Sequence, residues 1–123
     1  MRYLLDTHIF ISAINSELDF DRALLSIIDK PESNLYLSVA SLWEISIKIN
    51  LSKLTLKRDL DKMYQIIEKF DIIVLHISRN HLRTLLNLPQ IHKDPFDRLI
   101  ISQAITEDFT LITDDQFIKN YPN

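Results

Sequence analysis

Short apolar runs alternate along this chain with longer stretches whose apolar positions recur every three or four residues. "RYLLD" is a short apolar run ending in an acid and predicts a buried strand. "THIFISAIN" follows as a helix, and "DRALLSIIDK" as a second that ends before Pro31. "LYL" is a brief strand, and Ser38 after it is placed to cap the helix "VASLWEISIKIN". Residues 57 to 70 carry Leu60, Met63, Tyr64, Ile67 and Phe70, an apolar stripe at helical spacing. "DIIVLHI" reads as a strand, and "SRNHLRTLLNL" as a helix capped by Ser78 and stopped before Pro89. "KDPFDRLIISQA" opens a further helix to about Glu107. "FTLIT" is the final strand, and "DDQFIKN" a short closing helix.

The strands are apolar on both faces and alternate with helices. That order predicts an α/β fold, a central parallel sheet flanked by helices. In such sheets ligands bind outside the carboxyl ends of the strands. With no repeat, linker or low-complexity tract, the 123 residues read as one domain over 1–123.

Composition narrows the chemistry. Hydrophobic residues make up 46% and charged ones 25%, as in soluble globular proteins. No apolar run approaches the ~20 residues of a membrane span, and "MRYLLDTH" meets an acid too soon for a signal peptide. Cysteine is absent, which removes disulfides and thiolate metal sites and fits a reducing cytoplasm. Glycine is absent too, and phosphate-cradling nucleotide loops need glycine for close backbone approach. The net charge of −3 gives no general advertisement of nucleic-acid binding. Between Glu44 and Asp59, however, Lys48, Lys53, Lys57 and Arg58 occur with no intervening acid. That segment is either a phosphate-tracking edge or a solvated helix end.

The placement of the acids is more informative. Asp6 ends the first strand, while Asp114 and Asp115 follow the last; in a parallel sheet these share one edge. Each is also an N-cap candidate. Glu44 lies in a helix that is apolar nearly all round, where a carboxylate is costly without a partner. An i,i+4 pair with Lys48 would account for it without any chemistry. Asp94 and Pro95 fit the N-cap and first position of their helix, which puts Asp97 at N3. Capping explains that position but not the face. At ~100° per residue Asp97 falls in the stripe of Ile100, Ile101 and Ala104, and so points at the sheet. A helix following a strand in a parallel unit starts at the carboxyl edge, so Asp97 is expected beside the other acids.

Four acids gathered in one pocket would repel strongly unless a hard divalent cation joined them. Mg²⁺ takes oxygen ligands and keeps several waters, which suits hydrolysis of a phosphodiester. His8, His76, His81 and His92 are scattered, and zinc is a poor match without cysteine partners.

These segments, in this order, resemble the PIN-domain family, in particular the VapC-like toxins of type II toxin–antitoxin pairs. "YLLDTHIFISA" is similar to the first motif, with Asp6 as the metal-site acid and Thr7 beside it. "LSVASLWEISIK" resembles the second, where Ser38 and Ser41 precede Glu44. "HKDPFDRLIISQA" resembles the third, with Asp97 as the usual acid and Asp94 from a subgroup's extended form. "LITDDQFIKNY" resembles the last, threonine, any residue, then aspartate; this frame selects Thr113 and Asp115, with Asp114 in the variable place. The resemblance covers essentially the whole chain, and no acid of the set is missing. It implies a PIN-like three-layer fold and a Mg²⁺- or Mn²⁺-dependent ribonuclease with Asp6, Glu44, Asp97 and Asp115 at its metal site. It further implies a homodimer and inhibition by a cognate antitoxin. Lys48, Lys53 and Arg98 are candidates for contact with RNA; Arg98 could equally shield Asp94.

Two other classes of function compete. One is a PIN nuclease, or a weakly active module that regulates by binding RNA or protein, outside any toxin pair; a metal-dependent cleavage assay separates it. The other is a phosphotransfer or dehalogenase-like domain with a strand-end aspartate as nucleophile, which a covalent aspartyl intermediate would reveal.

Overall fold

The computed structural model describes residues 2–15, 34–52 and 60–113. The helices expected over 21–30 and 114–120 lie outside the described residues, as do Lys53, Asp114 and Asp115. Within the described residues the order is β1 (Arg2–Leu5), α1 (Thr7–Asn15), β2 (Asn34–Ser38), α2 (Val39–Asn50), α3 (Leu60–Lys69), β3 (Ile73–Leu75), α4 (Arg79–Leu86), α5 (Pro95–Glu107) and β4 (Thr110–Ile112). The four strands form one parallel sheet in the order β3-β2-β1-β4.

Alternation along β1 makes the layers. Leu5 packs on one face with Phe10, Ile14, Leu37, Ile45 and Met63, the core under α1, α2 and α3. Leu4 packs on the other face with Ile100, Ala104 and Phe109, the core under α5. Both leucines are fully buried, so the last two positions of the strand are apolar because each faces a core. Leu88 and Ile101 extend the second core beneath α4. The expected three layers are therefore present.

Register then fixes the edge. Leu5 pairs with Leu37 and with Ile112, while Ser38 pairs with Leu75. Asp6, Ser38 and Thr113 consequently stand together at the carboxyl ends of three adjacent strands. Asp6 continues the ladder through its amide, which donates to the Ile112 carbonyl at 3.0 Å.

The helix ends follow their sequence signals. Ser38 caps α2 by accepting from the Ala40 amide. Ser78 caps α4, and His81 completes a reciprocal capping box through Nδ1, which accepts from the Ser78 amide at 2.9 Å. Asp94 caps α5 with Pro95 at its first position. With no glycine available, left-handed backbone falls to Ser52, Asp71 and Asp108 among the described residues. Asp71 and Asp108 close α3 and α5, and short polar side chains tolerate this conformation better than most.

α5 reaches the carboxyl edge by a different route from the one expected. It does not follow a strand directly, because α4 intervenes after β3. Thr84 meets Thr106 at 2.7 Å and His81 meets Glu107 at 3.1 Å, so α4 and α5 run antiparallel. The loop after α4 therefore returns the chain to the carboxyl edge, where α5 starts. At its other end, Glu107 offers its carbonyl to Arg2 at the beginning of β1.

Candidate metal centre

The described acids of the predicted set, Asp6, Glu44 and Asp97, are all buried: 1%, 1% and 3% exposed. They come from three elements. Asp6 closes β1, Glu44 lies in α2, and Asp97 lies in the first turn of α5. α2 contributes Ile45 to the first core yet also touches α5, where Trp43 sits edge-on to Phe96 at 5.1 Å. Each of these rings precedes one of the predicted acids by one residue along the chain.

Asp97 records the shared field. Its carboxyl is raised to about 7, first by burial, then by the negative charges of Asp94, Asp6 and Glu44, against a lowering by His92. Its Oδ2 faces His92 Nε2 at 3.0 Å, while Oδ1 is buried with no hydrogen-bond partner. Capping is done by Asp94, whose Oδ1 accepts from the Phe96 and Asp97 amides at 2.9 and 3.1 Å.

Glu44 is arranged similarly. The pair with Lys48 is formed, with Nζ donating to Oε2 at 2.7 Å. It engages only one oxygen; Oε1 is buried with no partner. The hydrogen bond to Glu44 raises the Lys48 ammonium against the opposing effect of burial, and the charges of Glu44, Asp94 and Asp97 add to the rise. A cation is thus held at the acids' rim. Around Asp6, Thr113 Oγ1 donates to Oδ2 at 2.8 Å, and Thr7 and Ser41 join their buried hydroxyls at 2.7 Å. Ser38 is occupied with its cap.

A buried carboxylate oxygen without a donor costs about 1–3 kcal/mol or more. Two of them, on acids that also repel one another, match the hard all-oxygen donor set of Mg²⁺ or Mn²⁺. Among the described residues, no three Asp, Glu or His side chains stand close enough to share one ion.

Arg98 has a role that the sequence did not suggest. Its guanidinium donates to the carbonyls of Pro89, His92 and Leu88 at 2.9, 3.3 and 3.4 Å, and so fastens the loop ahead of α5. His92 is a second residue that the sequence pattern does not single out. Its signal was local: His92 stands two residues before the cap Asp94, whose amide donates to His92 Nδ1 at 3.0 Å.

The PIN domain family profile matches residues 3–123. No curated protein sequence matches the chain significantly. Among solved structures, the chain is similar to one described as VapBC2 from Rickettsia felis bound to a DNA fragment from their promoter. The two are 25% identical, with a TM-score of 0.77, over 99% of this chain and 94% of the other. Motifs, topology and profile agree, and the chain belongs to the PIN domain family.

Proposed function

We propose that this protein is a metal-dependent endoribonuclease of the VapC toxin type. It would hydrolyse RNA phosphodiester bonds in the cytoplasm and be held inactive by a cognate antitoxin. The observation that carries the reading is the pair of buried, donorless oxygens, Glu44 Oε1 and Asp97 Oδ1, at the carboxyl edge where Asp6 also stands. Asp6, Glu44, Asp97 and Asp115 would hold Mg²⁺ or Mn²⁺; Asp115 is assigned by its motif, with Asp114 in the variable place beside it.

The bound ion supplies polarisation of a phosphoryl oxygen and a more acidic water. The chain's own residues do the rest. Thr113 holds Asp6 by Oδ2. Thr7 and Ser41 tie the start of α1 to α2, which keeps Glu44 at a fixed distance from Asp6. Lys48 places a cation where a scissile phosphate would approach, and Lys53 follows it in sequence. Arg98 contributes through the loop it clamps. Burial of the acids limits competing water and strengthens their hold on a cation.

Likeness to VapBC2 supports an antitoxin partner. Exposed Trp43, Leu82 and Leu86 provide apolar surface for that partner and for a homodimer. No described helix is long and apolar enough to cross a membrane. The test is cleavage of a mixed RNA substrate by purified protein with Mg²⁺ or Mn²⁺. Excess EDTA and Asp6→Asn should each abolish it. Undiminished cleavage in chelator would overturn the metal mechanism, and no cleavage with either ion would favour a binding module.

A further inference from the structure

The geometry points to His92 as a positioning residue that aims the Asp97 carboxylate, leaving Oδ1 as the oxygen offered to the metal. This rests on the metal reading above, but it concerns a residue outside the acidic set and selects one oxygen of one acid.

The argument begins with the imidazole's two nitrogens. Nδ1 lies 3.0 Å from the Asp94 amide, which can only donate, so Nδ1 must accept. The hydrogen of the ring then sits on Nε2. Nε2 lies 3.0 Å from Asp97 Oδ2 and donates to it. The backbone of the cap thereby sets the tautomer that the acid needs.

Next, the ring is held from both directions. Asp94 is fixed as the N-cap of α5 by two amides, so the donor to Nδ1 does not drift. The His92 carbonyl accepts from Arg98, which also grips Pro89 and Leu88. Arg98 follows Asp97 directly on α5. One helix therefore carries the acid, the cap and the clamp, and the loop is pulled back onto its own first turn.

The consequence falls on Asp97. A carboxylate on a helix has a soft terminal torsion and two equivalent oxygens. A donor on Oδ2 breaks that equivalence and fixes the plane. Oδ1 is left buried and without a hydrogen-bond partner. Hydrogen bonds to the outer oxygen of a ligating carboxylate orient it, and their loss typically weakens metal binding about 10–100-fold.

The experiment titrates Mn²⁺ into the full chain at pH 8 without RNA, reading free Mn²⁺ by electron paramagnetic resonance. The set comprises the parent, Asp97→Asn, His92→Leu, His92→Gln and the double variant Asp97→Asn with His92→Leu, each checked for folding by circular dichroism in EDTA. His92→Leu should weaken binding by about 10–100-fold. His92→Gln, whose amide nitrogen can occupy the place of Nε2, should recover most of it. In the Asp97→Asn background, His92→Leu should cost nothing further. Nitrogen-15 NMR of the unsubstituted protein provides a test independent of folding, with the proton expected on Nε2 and none on Nδ1. Parent-like Mn²⁺ binding by His92→Leu, or a proton on Nδ1 instead, overturns the inference while the metal reading stands. If the parent takes up no Mn²⁺, or Asp97→Asn binds as the parent does, the metal reading fails and this inference with it.

Discussion

Replacing Asp97 by Asn separates a site acid from a helix-dipole acid, because the two roles predict opposite signs. An N3 acid that only favours the dipole contributes about 0.3–1 kcal/mol, so its loss would destabilise the fold. The structure gives the other sign. The Asp97 carboxyl stands near pH 7 in the metal-free fold against an ordinary 3.8. The difference is about 3 units, and at 1.36 kcal/mol per unit the charged form costs up to about 4 kcal/mol. A raised folded-state value means that the folded protein binds more protons than the unfolded chain between the two values. The contribution of Asp97 to the stability of the parent in EDTA should therefore fall as pH rises from about 4 to about 7, and level off above. Asn carries no such charge and should remove this part of the slope. The variant should match the parent near pH 4 and exceed it by up to about 4 kcal/mol at pH 8. Urea unfolding of both proteins in EDTA at several pH values measures this. An Asn variant that is less stable than the parent at pH 8 would refute the reasoning, as would a difference between the two that does not grow from pH 4 to pH 8.

Three further outcomes are expected. Mg²⁺ at 100 times its dissociation constant should stabilise the parent by about 2.7 kcal/mol in thermal or urea melts, and should leave Asp97→Asn nearly unchanged. Asp115→Asn should lose far more RNA cleavage than Asp114→Asn; the reverse ranking would show that the last motif is read one residue out of register. The exposed Trp43 and Leu86, at 58% and 85%, should be covered in a homodimer or by the antitoxin. Sedimentation at micromolar concentration should find a dimer, and a strict monomer indifferent to a co-expressed antitoxin would contradict it.

Wherever the deciding physics is local, the sequence was enough. Ser38, Ser78 and Asp94 cap their helices because each offers a side-chain oxygen just before a helical stripe. Asp97 could be aimed from a 100° rotation alone, since a helix face is a property of spacing. Strand limits are less legible, in both directions: "LYL" extends to Asn34–Ser38. The run over 71–77 shrinks to Ile73–Leu75, because Asp71 turns left-handed to end α3 and His76 begins the turn towards α4. Long side chains that reach backwards were invisible. Arg98 grips carbonyls six to ten residues earlier, and His92 meets Asp97 across a loop whose path no periodicity reports. The helix between β3 and α5 was legible, but its antiparallel return against α5 rests on contacts such as Thr84 with Thr106 that no periodicity reports.

The absence of glycine has a thermodynamic consequence that no contact displays. Left-handed backbone at Ser52, Asp71 and Asp108 carries a steric cost of roughly 1–2 kcal/mol for an ordinary residue, less for aspartate. Glycine at those turns would relieve it. Yet a chain of 123 residues without one glycine explores a narrower set of backbone states when denatured. Each glycine introduced would widen that set, at a cost of about 0.4–1 kcal/mol. Relief in the folded turn and loss in the denatured ensemble are therefore of similar size and opposite sign. Strain at the helix exits and stiffness of the denatured chain are two effects of one compositional choice.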